Sequence, residues 1–234
     1  MTGESPRQLV LDLAHRPALG REDFLVAESN RAAVGVVDRY PDWPHHAVVI
    51  FGPPGSGKSH LVQVWRQVSG AEGIGAAALR EDLVPKVLSS GALAIDDAPG
   101  DALDERALFH LLNLARQEQA RVLIATTVHP AGWPVALPDL ASRLKALPVV
   151  AMGPPDDALL RGVLVKLFAD RQLSVEESVI SYLLLRMPRS FDAARAVVEA
   201  IDRRALEEKV SVSRSFAARV LEEFTAPGLF GHDD

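Results

Sequence analysis

From residue 46 to 61 the chain reads HAVVIFGPPGSGKSHL, and no other stretch restricts its fold as tightly. Gly52, Gly57, Lys58 and Ser59 satisfy G-x-x-x-x-G-K-[ST], with an apolar run ahead of the motif and a helical pattern after it. A strand that feeds such a loop into a helix builds a cradle for nucleotide phosphates. Across Gly52, Pro53, Pro54, Gly55, Ser56 and Gly57 the backbone turns so that successive N–H groups face inward, and the positive end of the next helix adds to their field. Lys58 would reach the β- and γ-phosphates, and His60 lies one turn into the helix. Ser59 would offer its hydroxyl to Mg²⁺, a cation that keeps most of its waters and takes few protein ligands. The expected ligand is therefore ADP or ATP with Mg²⁺.

Four further apolar runs, 73–79, 91–97, 121–127 and 147–152, follow the cradle. Helical patterns separate most of them: Leu61, Val64, Trp65 and Val68 share one face, and Leu108, Leu111, Leu112 and Ala115 another within 104–119. Continuous apolar strands between helices predict a parallel five-stranded sheet covered on both faces, with ligands at the carboxyl ends of the strands. Asp96, Asp97, Thr126 and Thr127 end their strands at that edge. Asp96 has the chemistry to hold the Mg²⁺ water shell opposite Ser59, and Asp97 to orient an attacking water. A threonine hydroxyl there could touch the γ-phosphate or that water.

Upstream, 24–40 carries Ala32, Ala33, Val36, Val37 and Tyr40 at helical spacing, with Ser29 or Asn30 as N-cap and Pro41 and Pro44 as stops. Gly153, Pro154 and Pro155 break the composition, and helical patterns dominate beyond them. One helix fills 156–172, a second starts from a Ser174/Glu177 capping box, a third is capped by Ser190, and a fourth covers 213–224. The expected organisation is a tether at 1–21, a nucleotide-binding α/β domain at 22–153, an all-α lid at 154–226 and a tail at 227–234.

Composition narrows the function classes. A net charge of −6 disfavours generic nucleic-acid affinity, which Lys and Arg drive by releasing counterions. The absence of cysteine removes disulfide frameworks and thiolate zinc sites. No apolar run reaches membrane-helix length and no signal-peptide core opens the chain, so a cytoplasmic protein is expected.

Taken together, the blocks FLVAESNRAA, GPPGSGKSHL, AIDD, LIATT, LPDLASRL and MPRSFDAA resemble the AAA+ ATPases. Within them the resemblance is to the DnaA replication-initiator branch and its short Hda-type regulators. It implies an AAA+ P-loop NTPase core followed by a small all-α lid. Phe24, Val26 and Asn30 fall in the block that borders adenine, with Ala27 in place of a common glycine. Asp97 matches the family's catalytic aspartate, one methylene shorter than the glutamate of many AAA+ proteins, which implies slow hydrolysis. Thr127 matches sensor 1, Arg189 the lid arginine of sensor 2, and Arg143 the arginine finger that acts on a nucleotide held by another subunit. Gln8, Leu9, Leu11 and Leu13 resemble the Q-L-x-L-x-L motif that binds the sliding clamp of DNA polymerase III.

These resemblances imply a regulator that binds ADP or ATP, docks on the clamp and promotes hydrolysis of DnaA-bound ATP, restraining replication initiation. The chain is expected to lack the DNA-binding domain of DnaA and hence direct specific DNA binding. DnaA and the clamp are the implied partners, a homo-oligomer is compatible, and no membrane is involved. The alternatives are a DnaA-recruited adaptor whose nucleotide only sets its shape, and a self-assembling or clamp-loader-like motor that works on its own ATP.

Overall fold

In the computed structural model, residues 24–98 and 103–225 are described. The 8–13 motif and the 227–234 tail lie outside these residues. The first helix, α1 (Arg31–Asp38), is followed by β1 (Ala47–Phe51), α2 (Lys58–Ser69) and β2 (Glu72–Gly75). A short helix α3 (Val84–Val87) leads to β3 (Ala92–Ala98), α4 (Glu105–Gln117), β4 (Arg121–Thr126), α5 (Pro138–Ala146) and β5 (Val149–Ala151). All pairings are parallel, in the order β2-β3-β4-β1-β5.

Period-two alternation splits this core cleanly. Val49, Leu93, Ile95, Val122 and Ile124 face one side, where α4 and α5 bring Leu108, Leu111, Leu112, Leu140 and Leu144. Val48, Ile50, Ala94, Leu123 and Ala125 face the other, against α1 and α2. There the fully buried Trp65 stacks on Trp43 at 5.3 Å between ring centroids, and Tyr40 meets both rings edge-on. Truncating Trp65 to alanine costs about 3–5 kcal/mol by the usual cavity penalty.

The remaining helices, α6 (Asp157–Asp170), α7 (Glu177–Arg186), α8 (Phe191–Glu208) and α9 (Arg214–Thr225), bury a separate apolar cluster around Phe168, Leu183, Val197, Ile201 and Ala217. Asp156 and Ser190 cap α6 and α8 by accepting from the N–H groups of Leu159 and Ala193.

Local details differ from the sequence reading. The second strand stops at Gly75, because Ala76–Ala78 turn into a 3₁₀ segment. Val68 is exposed rather than packed inward. Residues 24–30 form a loop ahead of α1. The Ser174/Glu177 capping box does not form: α7 starts beyond Glu176, and Glu177 instead reaches Arg161 of α6 and Ser181. The ion pair to a neighbouring helix outcompetes the local cap. Helix α5 was not anticipated as a helix, although Pro138 at its first turn and Leu140 and Leu144 one turn apart carry the signal.

Candidate functional site

Strand β1 delivers the chain to the sheet's carboxyl edge, where Gly52 N–H donates to the carbonyl of Thr126 at 3.1 Å. Gly55 and Gly57 then adopt φ of 69° and 93°, left-handed conformations that side chains resist. Space is as tight as the dihedrals. A Cβ on Gly55 would sit 2.4 Å from Cβ of Ser190, and one on Gly57 would sit 2.9 Å from the Phe191 ring. The start of α8 therefore lies directly on the loop, and Phe191 N–H donates to the Gly55 carbonyl at 3.2 Å.

Lys58 is buried at the base of the cradle, its Nζ donating to the carbonyls of Gly52 and Pro53, each at 2.9 Å. Burial lowers its pKa below the ordinary lysine value, against the opposing pull of Asp96, Asp97 and Asp192. Ser56 is buried beside it with a hydroxyl that has no hydrogen-bond partner among the described residues. Buried hydroxyls are normally satisfied, so an orphan in this loop fits a phosphate oxygen.

The loop opens into a cavity of about 530 Å³, a normal size for a ligand site. The core side contributes Phe24, Leu25, Lys58, Ser59, His60 and Gln63. The lid side contributes Leu159 and Val163 of α6 and Phe191, Asp192 and Arg195 of α8. Phe24 packs its ring 5.0 Å from His60. Asn30 is buried but serves the wall rather than lining it: Oδ1 accepts from Ala27 N–H and Nδ2 donates to Leu25 C=O, both at 2.9 Å. Val26 is 48% exposed and is not among the lining residues. Pro53 and Pro54 form the exposed outer turn of the loop.

On β3, register shifts between Ile95 and Ala98, and Asp97 takes a φ of 55° within this bulge. Asx residues are among the few side chains that tolerate that region, and the bulge re-aims the strand end. Asp97 N–H donates to Asp96 Oδ1 at 3.0 Å. Both carboxylates act on Lys58, so the edge brings them to the cradle. Ser59 and Asp96 supply only oxygen donors, a set that suits Mg²⁺ retaining its waters. On β4, Thr126 is fully buried with its hydroxyl committed to the Val128 backbone, whereas Thr127 is exposed at the strand end.

Two arginines stand apart from the cavity. Arg189 pairs with Asp157 at 2.6 Å, beside a separate depression that also includes Arg161 and Leu185. Arg143 lies over the Phe109 ring of α4, and its charge helps to lower the pKa of His46. His46 precedes β1 and the cradle follows it. At roughly 3.3 Å per residue, the strand separates these ends by on the order of 15–20 Å. Sequence reasoning missed the lid wall: Leu159 and Val163 read only as a helix face, although Phe191, Arg195 and Glu199 repeat at i, i+4 and i+8 toward the cavity.

No protein-family model and no curated protein matches this chain. Solved structures do. Domain III of the Thermotoga maritima replication initiation protein DnaA aligns over 91% of this chain and 99% of its own, with 20% identity and a TM-score of 0.75. AMPPCP-bound DnaA from Aquifex aeolicus aligns over 84% of this chain and 71% of its own, at 21% identity and a TM-score of 0.63. The Thermotoga maritima RuvB Holliday junction branch migration motor aligns over 87% and 71%, at 15% identity and a TM-score of 0.66. The chain thus has the AAA+ fold shared by DnaA and RuvB, a parallel α/β core followed by helices. Among the described residues no helix is long and apolar enough to cross a membrane.

Proposed function

We propose that this chain is a AAA+ regulator that binds ADP or ATP with Mg²⁺, docks on the DNA polymerase III sliding clamp and promotes hydrolysis of DnaA-bound ATP. The cavity between loop and lid takes the nucleotide: the loop N–H groups, Ser56 and Lys58 hold its phosphates, and Phe24, Leu25, Leu159 and Val163 enclose its base. Mg²⁺, held by Ser59 and through water by Asp96, would neutralise phosphate charge when bound. Asp97 and Thr127 are assigned the orienting of an attacking water. Gln8, Leu9, Leu11 and Leu13 supply the clamp contact.

One observation carries the trans-acting part of this reading. Arg143 influences His46 at the amino end of β1, while the cradle occupies the other end of the same strand. Arg143 is also absent from the residues that line the cavity with Gly57, Lys58 and Ser59, which sets it apart from the chain's own nucleotide site. Its use as a finger requires a phosphate on another molecule, where such a group contributes roughly 10³–10⁵ in rate.

Hydrolysis of DnaA-bound ATP, followed with and without this protein and clamp loaded on DNA, tests the proposal. Stimulation that depends on both supports it. Substantial turnover of the protein's own ATP with no effect on DnaA would replace it with a self-contained motor.

A further inference from the structure

Arg195 and Arg189 lie close in sequence at the start of α8, yet they face different cavities. Arg189 is held by Asp157 at 2.6 Å outside the nucleotide cavity. Arg195 lines the same cavity as Gly57, Lys58 and Ser59 and forms no ion pair among the described residues. It sits four residues after Phe191, whose ring packs on Gly57, so it shares that face one turn farther from the loop. Helical side chains lean toward the amino terminus of their helix, which directs the Arg195 guanidinium back toward the phosphate loop. A cation here also answers a local need. The carboxylate of Asp192, one turn earlier on α8, acts on Lys58, whereas the other cations of these helices at the cavity lie elsewhere, Lys166 in the carboxyl half of α6 and Arg171 just after it, paired with Asp202.

We infer that Arg195, rather than Arg189, is the lid cation that contacts the bound nucleotide, its planar fork matching phosphate oxygens. The inference rests on the nucleotide-binding reading above and assigns to that site a residue outside its phosphate loop. Arg189 then stays with Asp157 and ties the connection between α7 and α8 to the start of α6.

Titration calorimetry of the full chain with MgADP and MgATP decides the matter. Arg195→Gln weakens binding by roughly tenfold or more, as loss of a charge-assisted contact should. Arg195→Lys recovers part of the loss, and Arg189→Gln stays within about twofold of wild type under the same rule. Arg195 is exposed, so melting temperatures should match, and a folding defect would show in Arg195→Lys as well. Unchanged affinity in Arg195→Gln, alongside clear weakening in Lys58→Ala, would overturn the inference and leave the nucleotide site standing. A loss in Arg189→Gln equal to that in Arg195→Gln would also overturn it. A wild-type chain that binds neither nucleotide would remove both the site and the inference.

Discussion

The guanidinium carbon of Arg143 lies 5.0 Å from the centroid of the Phe109 ring, joining α5 to α4 on the face of the sheet that carries neither α1 nor α2. Among the described residues Arg143 makes no ion pair, so an aromatic face rather than a carboxylate holds it. That choice leaves its donors available to an incoming anion. A cation–π contact of about 0.5–1 kcal/mol narrows the range of rotamers without neutralising the charge. Phe109→Leu should therefore lower stimulated hydrolysis of DnaA-bound ATP about two- to fivefold at saturation, while Phe109→Trp should retain it. Single-turnover rates at saturating protein separate this effect from weakened docking.

Lys58 supplies the main cation of the cradle. Lys58→Ala should weaken ADP and ATP binding by about 1.5–3 kcal/mol, the worth of a charge-assisted contact. The sign of the pH effect follows from its lowered pKa in the free protein. Phosphate adds negative charge and raises that pKa, so binding takes up protons at alkaline pH, and affinity falls as pH rises through the free-state value. Calorimetry at alkaline pH, in buffers of different ionisation enthalpy, should register that proton uptake.

His46 gives a second pH dependence. Burial, then Arg116, His45, Arg143 and Arg121, lower its pKa below the ordinary 6.5. The unfolded chain consequently binds the extra proton first, and stability present above pH 6.5 is lost as pH falls toward the folded value. His46→Gln should flatten the change in urea midpoint between pH 7.5 and 5.5. Arg143→Ala, which removes one of the repelling cations, should flatten it in part.

The fold was legible because its strongest signals are local. The apolar stretches 47–51, 92–95 and 122–125 carry no polar residue that could face water, so a sheet covered on both sides was required. Ser190 announced its helix by capping chemistry that the structure retains. What was not legible depends on contacts between distant segments. Glu177 could cap its own helix or pair with Arg161, and sequence does not rank those outcomes. The conformation of Asp97 comes from a bulge between β3 and β4, and the cavity's lid wall exists only once Phe191 reaches Gly57. Motif matching likewise pointed to Arg189, whereas Arg195 has no motif and only its place on α8 brings it to the cavity.

Clamp docking is expected to be separable from the core. Replacing Gln8, Leu11 and Leu13 with alanine should abolish co-elution with the sliding clamp, since a few anchors carry most of such an interface. Nucleotide affinity and melting temperature should stay unchanged. Clamp that still co-elutes with the triple variant would move the docking site elsewhere.

Arg143→Ala, assayed on DnaA-bound ATP with clamp loaded on DNA, bears most directly on the proposed trans-acting finger. The variant should keep its fold, its nucleotide affinity and its clamp binding, because none of these uses the guanidinium. It should lose stimulation of DnaA, and Arg143→Lys should recover little, since a point charge lacks the planar fork that matches phosphate oxygens. Stimulation by Arg143→Ala equal to that of the wild-type chain would contradict the finger and the regulator mechanism built on it.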